Sequence, residues 1–267
     1  MLLKAYAKVN LVLKVLGKND YNYHNLQMLN AKIDLYDQID VKKNNKKNDL
    51  VKFRGLNQEN IKDDLVLRCI NIIKNYYNID DCFDITITKQ IPIGAGMGGG
   101  SCDVATIVKY LLRRYHIEED LNQLIHLLKD QSADIPYCLT NKIAFVEGIG
   151  EKVSEIFVAI PDECILVNPH ISISTKEVFE KVKNYSKPLT KDSLMKQIAT
   201  KGYSIFNNDL EEAAFLLYPQ LQEIKNNLSK IGHTVMSGSG STMMVFGDDL
   251  ASMYAVSYTH LRAHETG

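Results

Sequence analysis

Residues 91–106 read IPIGAGMGGGSCDVAT, and five of the seven residues from Gly94 to Gly100 are glycine. Glycine lets the backbone adopt positive φ and lets a ligand come close to bare N–H groups. The first turn of a helix adds N–H donors that lack intrahelical partners, together with a partial positive charge. The stretch is therefore typical of an anion site, most often one for phosphate. A helical pattern of apolar residues follows directly, at Val104, Ile107, Val108, Leu111 and Leu112.

A dinucleotide-binding loop is one alternative for this stretch. Gly94, Gly96 and Gly99 match the pattern G-x-G-x-x-G, which would indicate an NAD- or FAD-linked enzyme. That pattern needs a second strand that ends in an acidic residue about twenty positions later. Residues 104–130 instead have the character of two helices, so we disfavour this interpretation.

An ATPase P-loop and a flexible linker also fit this stretch poorly. The P-loop needs a lysine directly before its serine or threonine, whereas Gly100 precedes Ser101 here. A linker is disfavoured because the loop lies between a β-like segment, 83–88, and a regular helical pattern.

Composition and charge describe an ordinary globular protein. The 267 residues are 45% hydrophobic and 24% charged, and the formal net charge is −1. The lysine-rich stretch KKNNKKND at 42–49 is best interpreted as a solvated loop. We therefore expect no nucleic-acid partner.

The cysteines and the amino terminus indicate the compartment. The five cysteines are odd in number and show no C-x-x-C spacing, which argues against a disulfide framework or a zinc site. Lys4, Lys8 and Lys14 interrupt the apolar residues of the first segment, so it is neither a signal peptide nor a membrane span. We expect a cytoplasmic protein with no membrane partner.

The last twelve residues, VSYTHLRAHETG at 256–267, resemble the translated read-through of a sequencing adapter. We therefore expect that the native part of this sequence ends near Ala255 and that the tail is non-native. The carboxyl-terminal lobe would then be truncated and would have an unpaired sheet edge. His260 and His264 are four residues apart, as in some zinc sites. We nevertheless expect no metal site there, and the sequence predicts none elsewhere.

Residues 2–16 alternate between apolar and polar side chains, which predicts a half-buried strand. Lys8 and Asn10 lie on the face opposite the apolar one. A solvent-facing pair is the simplest interpretation of that pattern.

The order of the later segments predicts an α+β architecture. Strand-like segments dominate the first part of the chain and mixed helices follow, while 184–204 is assigned to neither. We expect an amino-terminal lobe at 1–155 that contains the glycine loop, and a carboxyl-terminal lobe at 156–255.

Several separated segments, taken in chain order, are similar to motifs of the GHMP kinases. The resemblance spans roughly residues 4–250 and implies the two-lobed GHMP kinase fold. Its amino-terminal lobe has a ribosomal S5-like sheet-and-helix topology, and its carboxyl-terminal lobe is an α/β sandwich. The segments are AKVNLVL (7–13), YNYHNLQ (21–27), PIGAGMGGGSCDVAT (92–106), SADIPYC (132–138), AFVEGIGE (144–151), NPHISISTKEVF (168–179) and MSGSGSTMMVFG (236–247).

The resemblance implies an ATP-dependent kinase whose glycine loop holds the phosphates. Mg²⁺ is expected with ATP, although no dedicated carboxylate cage is visible. Met97 stands where the family commonly has leucine, and Cys102 stands where serine is usual, which leaves Ser101 as the hydroxyl partner of phosphate or Mg²⁺. The implied ATP-binding residues are Pro92, Gly94, Ala95, Gly96, Met97, Gly98, Gly99, Gly100 and Ser101.

By the same resemblance, Asp134 is the catalytic base that takes the proton of the attacking hydroxyl. The alternative is a helix-capping aspartate, because Asp134 directly precedes Ile135 and Pro136. Lys8 is then expected near Asp134, where a cation offsets the charge that develops during phosphoryl transfer.

Within the family, the resemblance is strongest to kinases whose substrate carries a cytidine diphosphate and serves isoprenoid precursor biosynthesis. It implies that Tyr23 and Phe179 stack on the cytosine ring and that His24 hydrogen-bonds its edge. A core position is the alternative for Phe179. Asn10 and Thr175 are further substrate contacts, and a helix cap is the alternative for Thr175.

A second glycine-rich loop, SGSGS at 237–241, lies between two β-like segments. The resemblance implies that Gly238, Ser239 and Gly240 lie near the phosphates. A plain hairpin turn is the alternative, although it needs fewer such residues. Other GHMP kinases that act on homoserine, mevalonate or a sugar stay open as alternatives, as do an NAD-linked oxidoreductase and a non-catalytic nucleotide-binding module. Both a monomer and a homodimer are compatible with the sequence.

Overall fold

The structure is a computed structural model that describes residues 1–55, 65–118, 120–140 and 142–248, with the backbone of 259–262. The expectations for 256–258 and 263–267 lie outside these residues. The strands are β1 (Leu2–Lys18), β2 (His24–Asn44), β3 (Leu50–Gly55), β4 (Cys82–Lys89), β5 (Ala144–Gly148), β6 (Lys152–Glu155), β7 (Glu163–Val167), β8 (Asn207–Asn208), β9 (His233–Met236), β10 (Met243–Phe246) and β11 (Thr259–Arg262). The helices are α1 (Leu65–Tyr77), α2 (Gly99–Arg114), α3 (Leu121–Leu128), α4 (Ile135–Cys138), α5 (Thr175–Glu180), α6 (Lys191–Lys201), α7 (Glu211–Leu217) and α8 (Pro219–Leu228), with a 3₁₀ helix at Gly202–Ile205.

The first of two compact units consists of Met1–Lys8, Leu35–Ile93 and Gly98–Asn141. Within it β3 pairs in parallel with β4, β4 pairs antiparallel with β2, and β1 lies next to β2. Alternate residues of β4 enter the core, and helices α1 and α2 pack against each other. This unit therefore joins a sheet to a helical layer.

The second unit consists of Val9–Asp34, Gly94–Met97 and Lys142–Gly267. Within it β5 pairs antiparallel with β2, β6 pairs antiparallel with β5, and β8 pairs in parallel with β1. A separate four-stranded sheet has the order β11-β7-β10-β9. The predicted α+β class is confirmed, while the predicted lobes at 1–155 and 156–255 stay a prediction.

Strand β1 is buried on both faces in its middle part, from Ala7 to Leu13. Lys8 is 3% exposed and Asn10 is 1% exposed, so the interpretation of these two residues as a solvent-facing pair is wrong. Alternation in the sequence locates the strand, but it cannot show that polar side chains on its second face are covered.

The chain after the glycine loop lacks the feature that a dinucleotide-binding unit needs. Between β4 and β5 the described residues form α2, α3 and α4 and no strand. The apolar face predicted for α2 is buried, from Val104 to Leu112. No helix in the described part of the chain is long and apolar enough to span a bilayer.

Helix α6 and strand β11 are among the described elements that were not predicted. Helix α6 lies in the segment assigned to neither class, and its signature is Thr190, whose hydroxyl accepts the Ser193 N–H at 3.1 Å, followed by buried Leu194 and Ile198. Strand β11 pairs antiparallel with β7 inside the tail, where the sequence pattern predicts no element. The non-native origin of that tail stays a prediction.

We expect Leu111→Ala to lower the free energy of unfolding by about 2–5 kcal/mol, because it leaves a cavity at a fully buried position of α2. Urea denaturation followed by circular dichroism measures the change. Arg113→Ala, at an exposed position of the same helix, is the matched control and should shift the free energy by at most about 0.5 kcal/mol. Equal effects would contradict the assignment of the buried face.

Candidate active site

The two residues predicted to be catalytic form an ion pair inside the first unit. The Lys8 Nζ lies 3.0 Å from Asp134 Oδ1, and the side chains are 4% and 34% exposed respectively. Asp134 precedes α4, a single turn that begins with Ile135 and Pro136, but its side chain makes no capping hydrogen bond. The helix-cap alternative is therefore wrong, and the carboxylate pairs with a buried cation while part of it reaches solvent.

Gly98 lets this pair lie against the start of α2. Its φ is 62°, and a Cβ there would lie 2.9 Å from Lys8 Cε and 3.4 Å from Asp134 Oδ2. Gly98 is also the N-cap residue of α2, where no side chain forms a capping hydrogen bond. The N–H donors of the first turn are thus not taken by a capping side chain, which leaves them for an anion.

Ser101 belongs to the same turn, but its hydroxyl already has a protein partner. Its Oγ lies 2.9 Å from the Oγ of Ser132, which also accepts the Asp134 N–H at 3.4 Å. The residue is 5% exposed. A phosphate or metal contact through Ser101 therefore requires its hydroxyl to turn, and Ser132 is a polar neighbour to which sequence reasoning assigns no role.

The earlier part of the glycine loop lies in the second unit and contacts the second glycine-rich loop. The Ser237 hydroxyl donates to the Gly96 carbonyl at 3.0 Å, and a Cβ on Gly96 would lie only 2.1 Å from the Ser237 carbonyl oxygen. Gly94 and Gly96 have positive φ, while Ala95 and Met97 are buried and Pro92 is half-buried. The two loops therefore pack against each other within this unit.

Asn208 binds the backbone at the second glycine-rich loop, a role that the sequence did not indicate. Its Nδ2 donates to the carbonyls of Met236 at 2.6 Å and Gly238 at 2.7 Å, while its Oδ1 accepts the Leu210 N–H at 2.9 Å. An asparagine just before a helical segment is read as a local cap. Its long-range contacts have no sequence pattern.

Asn10 is fixed by a buried amide pair in the second unit. Its Nδ2 donates to Asn30 Oδ1 at 2.7 Å, and its backbone N–H donates to the Ser237 hydroxyl at 3.3 Å. The Nδ2 of Asn30 is buried and has no partner among the described residues. A donor without a partner at this position suits a polar ligand.

The aromatic residues expected around a base are only partly brought together. His24 and Phe179 stack at a centroid distance of 5.2 Å and an interplanar angle of 30°, and Tyr185 tilts against His24 at 6.3 Å. Tyr23 is 63% exposed. Val178 is the fully buried residue of α5 and Phe179 is half-buried, so the core alternative for Phe179 is wrong. Tyr185 was missed because it lies in a polar segment.

His24 carries an unsatisfied ring nitrogen. Its Nε2 is buried without a hydrogen-bond partner in the described part of the chain. Burial, and secondarily the charge of Lys18, lowers the pKa of His24 below its usual value. Burial therefore favours the neutral ring, which can donate or accept a hydrogen bond at the edge of a base.

Thr175 contacts the second glycine loop. Its Oγ1 lies 2.8 Å from Ser239 Oγ, whereas Ser174 is the residue that caps α5, by accepting the Glu177 N–H at 3.3 Å. The cap alternative for Thr175 is therefore wrong. Gly238 and Gly240 flank Ser239 with positive φ.

The oxygen donors near Asp134 suit magnesium. Mg²⁺ prefers oxygen ligands and is usually held by one or two carboxylates plus the phosphates of a nucleotide. The Asp134 carboxylate and the hydroxyls of Ser101 and Ser132 are donors of that kind. Among the described residues no group of three or more histidine, cysteine, aspartate or glutamate side chains could hold a metal alone.

Two family models match the sequence. The model for the GHMP kinases N terminal domain matches residues 64–142, and the one for GHMP kinases C terminal matches residues 191–258. The chain belongs to the GHMP kinase family, and it is a small-molecule kinase.

One relative and two solved structures are similar to this chain over nearly its whole length. A 4-diphosphocytidyl-2-C-methyl-D-erythritol kinase of Lachnoclostridium phytofermentans is 35% identical over 259 residues, covering 92% of this chain and 88% of that protein. A crystal structure of 4-(cytidine 5'-diphospho)-2C-methyl-D-erythritol kinase is similar with a TM-score of 0.80 and 26% identity, over 99% of this chain and 100% of that chain. The Methanococcus jannaschii mevalonate kinase, with a TM-score of 0.64 and 17% identity over 99% and 98% of the chains, shares the fold. The resemblance and the expected fold are thereby confirmed.

We expect Gly96→Ala to destabilise the protein far more than Gly94→Ala. Both glycines have positive φ, so both substitutions introduce backbone strain of about 1 kcal/mol. Only the Cβ at position 96 also meets a backbone carbonyl, whereas the one at position 94 meets nothing within 4 Å. Thermal unfolding of the two variants measures the difference, and equal melting temperatures would contradict the close approach of the two loops.

Proposed function

We propose that this chain transfers the γ-phosphoryl group of ATP to the 2-hydroxyl of 4-diphosphocytidyl-2-C-methyl-D-erythritol in isoprenoid precursor biosynthesis. The observation that carries the proposal is the Lys8–Asp134 ion pair against Gly98 at the uncapped start of α2. The choice of acceptor is supported by relatives of that name, 35% identical over nearly the whole chain. We also assign it to the cytoplasm, from its cysteine usage.

Asp134 acts as the base in this proposal. Phosphoryl transfer depends mainly on positioning and charge stabilisation, so the protein has little covalent chemistry to perform. The acceptor hydroxyl gives its proton to the Asp134 carboxylate as its oxygen bonds to the γ-phosphorus and ADP leaves. The Lys8 ammonium, held 3.0 Å from that carboxylate, stabilises the negative charge of the transferring group.

The glycine loop binds the triphosphate through backbone N–H groups. We assign this role to Gly94, Gly96 and the first turn from Gly98 to Ser101, with Pro92, Ala95 and Met97 shaping the loop. Gly238, Ser239 and Gly240 are assigned to the phosphates as well. Mg²⁺ would be held by the Ser101 hydroxyl together with the phosphates of the nucleotide, and it would neutralise part of the charge of those phosphates.

The cytidine end of the acceptor is assigned to the aromatic residues of the second unit. We propose that the base stacks on Phe179 and accepts or donates a hydrogen bond at His24 Nε2, the buried atom without a partner among the described residues. Tyr23, which is exposed, would close over the ring on binding. Asn10 and Thr175 are assigned to the polar part of the acceptor.

The acceptor is tested by ADP release with ATP and Mg²⁺. We expect kcat/KM for 4-diphosphocytidyl-2-C-methyl-D-erythritol to exceed that for homoserine or mevalonate by about 10²-fold or more, because a site built for polar groups rejects acceptors that lack them. Preference for homoserine, mevalonate or a sugar would replace the proposal by another GHMP kinase activity. If the folded protein binds ATP but phosphorylates none of these acceptors, a non-catalytic nucleotide-binding module would be favoured.

We expect Asp134→Asn to lower kcat by about 10²–10⁴-fold, because the amide cannot accept the hydroxyl proton. Steady-state ADP release at saturating ATP measures the loss. Asp130→Asn is the matched control, since the side chain of Asp130 is 80% exposed, and it should keep the wild-type kcat. A kcat within twofold of wild type for Asp134→Asn would show that Asp134 is not the general base.

We expect Phe179→Ala to raise KM for the cytidylyl acceptor about tenfold, since stacking on an aromatic ring contributes roughly 1–3 kcal/mol per base. KM for ATP should not change. Lys176→Ala, on the same helix with a side chain that is 86% exposed, is the control. An unchanged acceptor KM would contradict the role of Phe179.

A further inference from the structure

Three buried charged residues lie at the two ends of the glycine loop and have no role in the proposed chemistry. Lys89 is the last residue of β4, Asp103 belongs to α2, and Asp37 belongs to β2. Their side chains are 5%, 1% and 0% exposed. The Lys89 Nζ donates to Asp103 Oδ2 at 2.8 Å and also to Asp37 Oδ2. We call these three residues the loop clamp.

The loop clamp reaches the backbone where the loop begins. Asp37 Oδ1 accepts the N–H groups of Gln90 at 2.6 Å and Ile91 at 2.9 Å. These are the two residues that follow β4. One carboxylate therefore fixes the direction in which the chain leaves the strand, and the same carboxylate binds Lys89 through its other oxygen.

The loop clamp also lies against the first turn of α2. A Cβ on Gly99 would lie 3.3 Å from Lys89 Nζ and 3.1 Å from Ile91 Cγ2. Gly99 is the first residue of the helix, and Asp103 is four residues further along it. Lys89 thus touches the turn from one side and is bonded to the helix through Asp103.

Stability alone is a poor explanation for this arrangement. One ammonium faces two carboxyl groups, and Asp103 Oδ1 is buried without a partner in the described part of the chain. Burial, against the opposing charge of Lys89, raises the pKa of Asp103 well above its usual value. Well-packed apolar residues are often as stabilising as a buried ion pair, so a second buried carboxyl group calls for another reason.

We propose that Asp103 and Asp37, bridged by Lys89, are positioning residues that hold the first turn of α2 in the orientation that binds the phosphates of ATP. Hydrogen-bond donors stabilise an anion best when they are fixed in place before it arrives. The inference rests on the proposed use of ATP by the glycine loop. It does not depend on which acceptor is phosphorylated.

The test compares Asp103→Leu with Asp103→Asn. Leucine has a similar shape, leaves Lys89 and Asp37 as a balanced pair, and removes the link to α2. Asparagine keeps an oxygen that accepts from Lys89. Calorimetric titration with a non-hydrolysable ATP analogue and Mg²⁺, without acceptor, gives the dissociation constant directly.

We expect the analogue to bind Asp103→Leu about tenfold more weakly than wild type, since hydrogen bonds to charged groups contribute roughly this much. Asp103→Asn should bind within about twofold of wild type. In turnover, KM for ATP should rise in Asp103→Leu while KM for the acceptor stays unchanged. That split separates a positioning role from a loss of folded enzyme, which lowers the apparent kcat when it is irreversible and raises both KM values when it is reversible.

A second buried ion pair of the same unit is the control. Lys74 Nζ lies 2.5 Å from Asp49 Oδ2, and Asp49 Oδ1 accepts the Phe83 N–H at 2.7 Å. Asp49→Asn should lower the melting temperature without changing the affinity for the analogue. Should Asp103→Leu be too unstable for calorimetry, KM for ATP replaces it, measured at a temperature at which circular dichroism shows the variant to be folded, because partial unfolding would itself raise the apparent KM.

Three results would overturn the proposal. One is wild-type affinity for the analogue in Asp103→Leu. Another is equal weakening in Asp103→Asn and Asp103→Leu, which would assign the effect to charge rather than to the bridge. The third is equal weakening in Asp49→Asn, which would assign it to stability. If the wild-type protein binds the ATP analogue but does not phosphorylate the proposed acceptor, the choice of acceptor is wrong. The inference about Asp103, Lys89 and Asp37 is not affected by that result.

Discussion

The ion pair between Lys8 and Asp134 is the interaction on which the candidate site depends. A lysine that is 3% exposed is costly to bury unless a carboxylate compensates its charge. Asp134 supplies that carboxylate at 3.0 Å, yet its side chain stays 34% exposed and so remains accessible to a substrate. The ion pair therefore compensates the charge of the buried Lys8, and it also orients the partly exposed Asp134 carboxylate, which is the proposed base.

Glycine is required wherever the backbone or a charged side chain approaches this region closely. At Gly98 any Cβ would enter the space of the Lys8 side chain, and at Gly96 it would meet the Ser237 carbonyl. Both positions also have positive φ. The glycine-rich composition of the loop thus has two separate causes, which are ligand access and the packing of the protein on itself.

The sequence predicts the regular elements well because their patterns are local. The apolar face of α2 and the strands β1 and β4 follow from spacing alone. The burial of Lys8 and Asn10 does not, because it depends on the elements that cover the second face of β1. Helix α6 could have been found from its Thr190 cap.

Some contacts of the candidate site could be predicted from the sequence, and others could not. The pairing of Lys8 with Asp134 followed from resemblance to the GHMP kinases, since no local pattern joins residues this far apart in the chain. The contacts of Asn208 and the stacking of His24 on Phe179 are likewise long-range. Polar residues of this kind look the same in a sequence whether they cap a helix, face solvent or bind a loop.

A crystal structure of the protein with a non-hydrolysable ATP analogue, Mg²⁺ and 4-diphosphocytidyl-2-C-methyl-D-erythritol would locate the acceptor hydroxyl relative to the proposed base. We expect the 2-hydroxyl of the acceptor to lie within about 2.6–3.2 Å of the Asp134 carboxylate, the reach of a hydrogen bond to a general base. An acceptor hydroxyl bound beyond the reach of Asp134, with another residue in contact with it, would show that Asp134 is not the base.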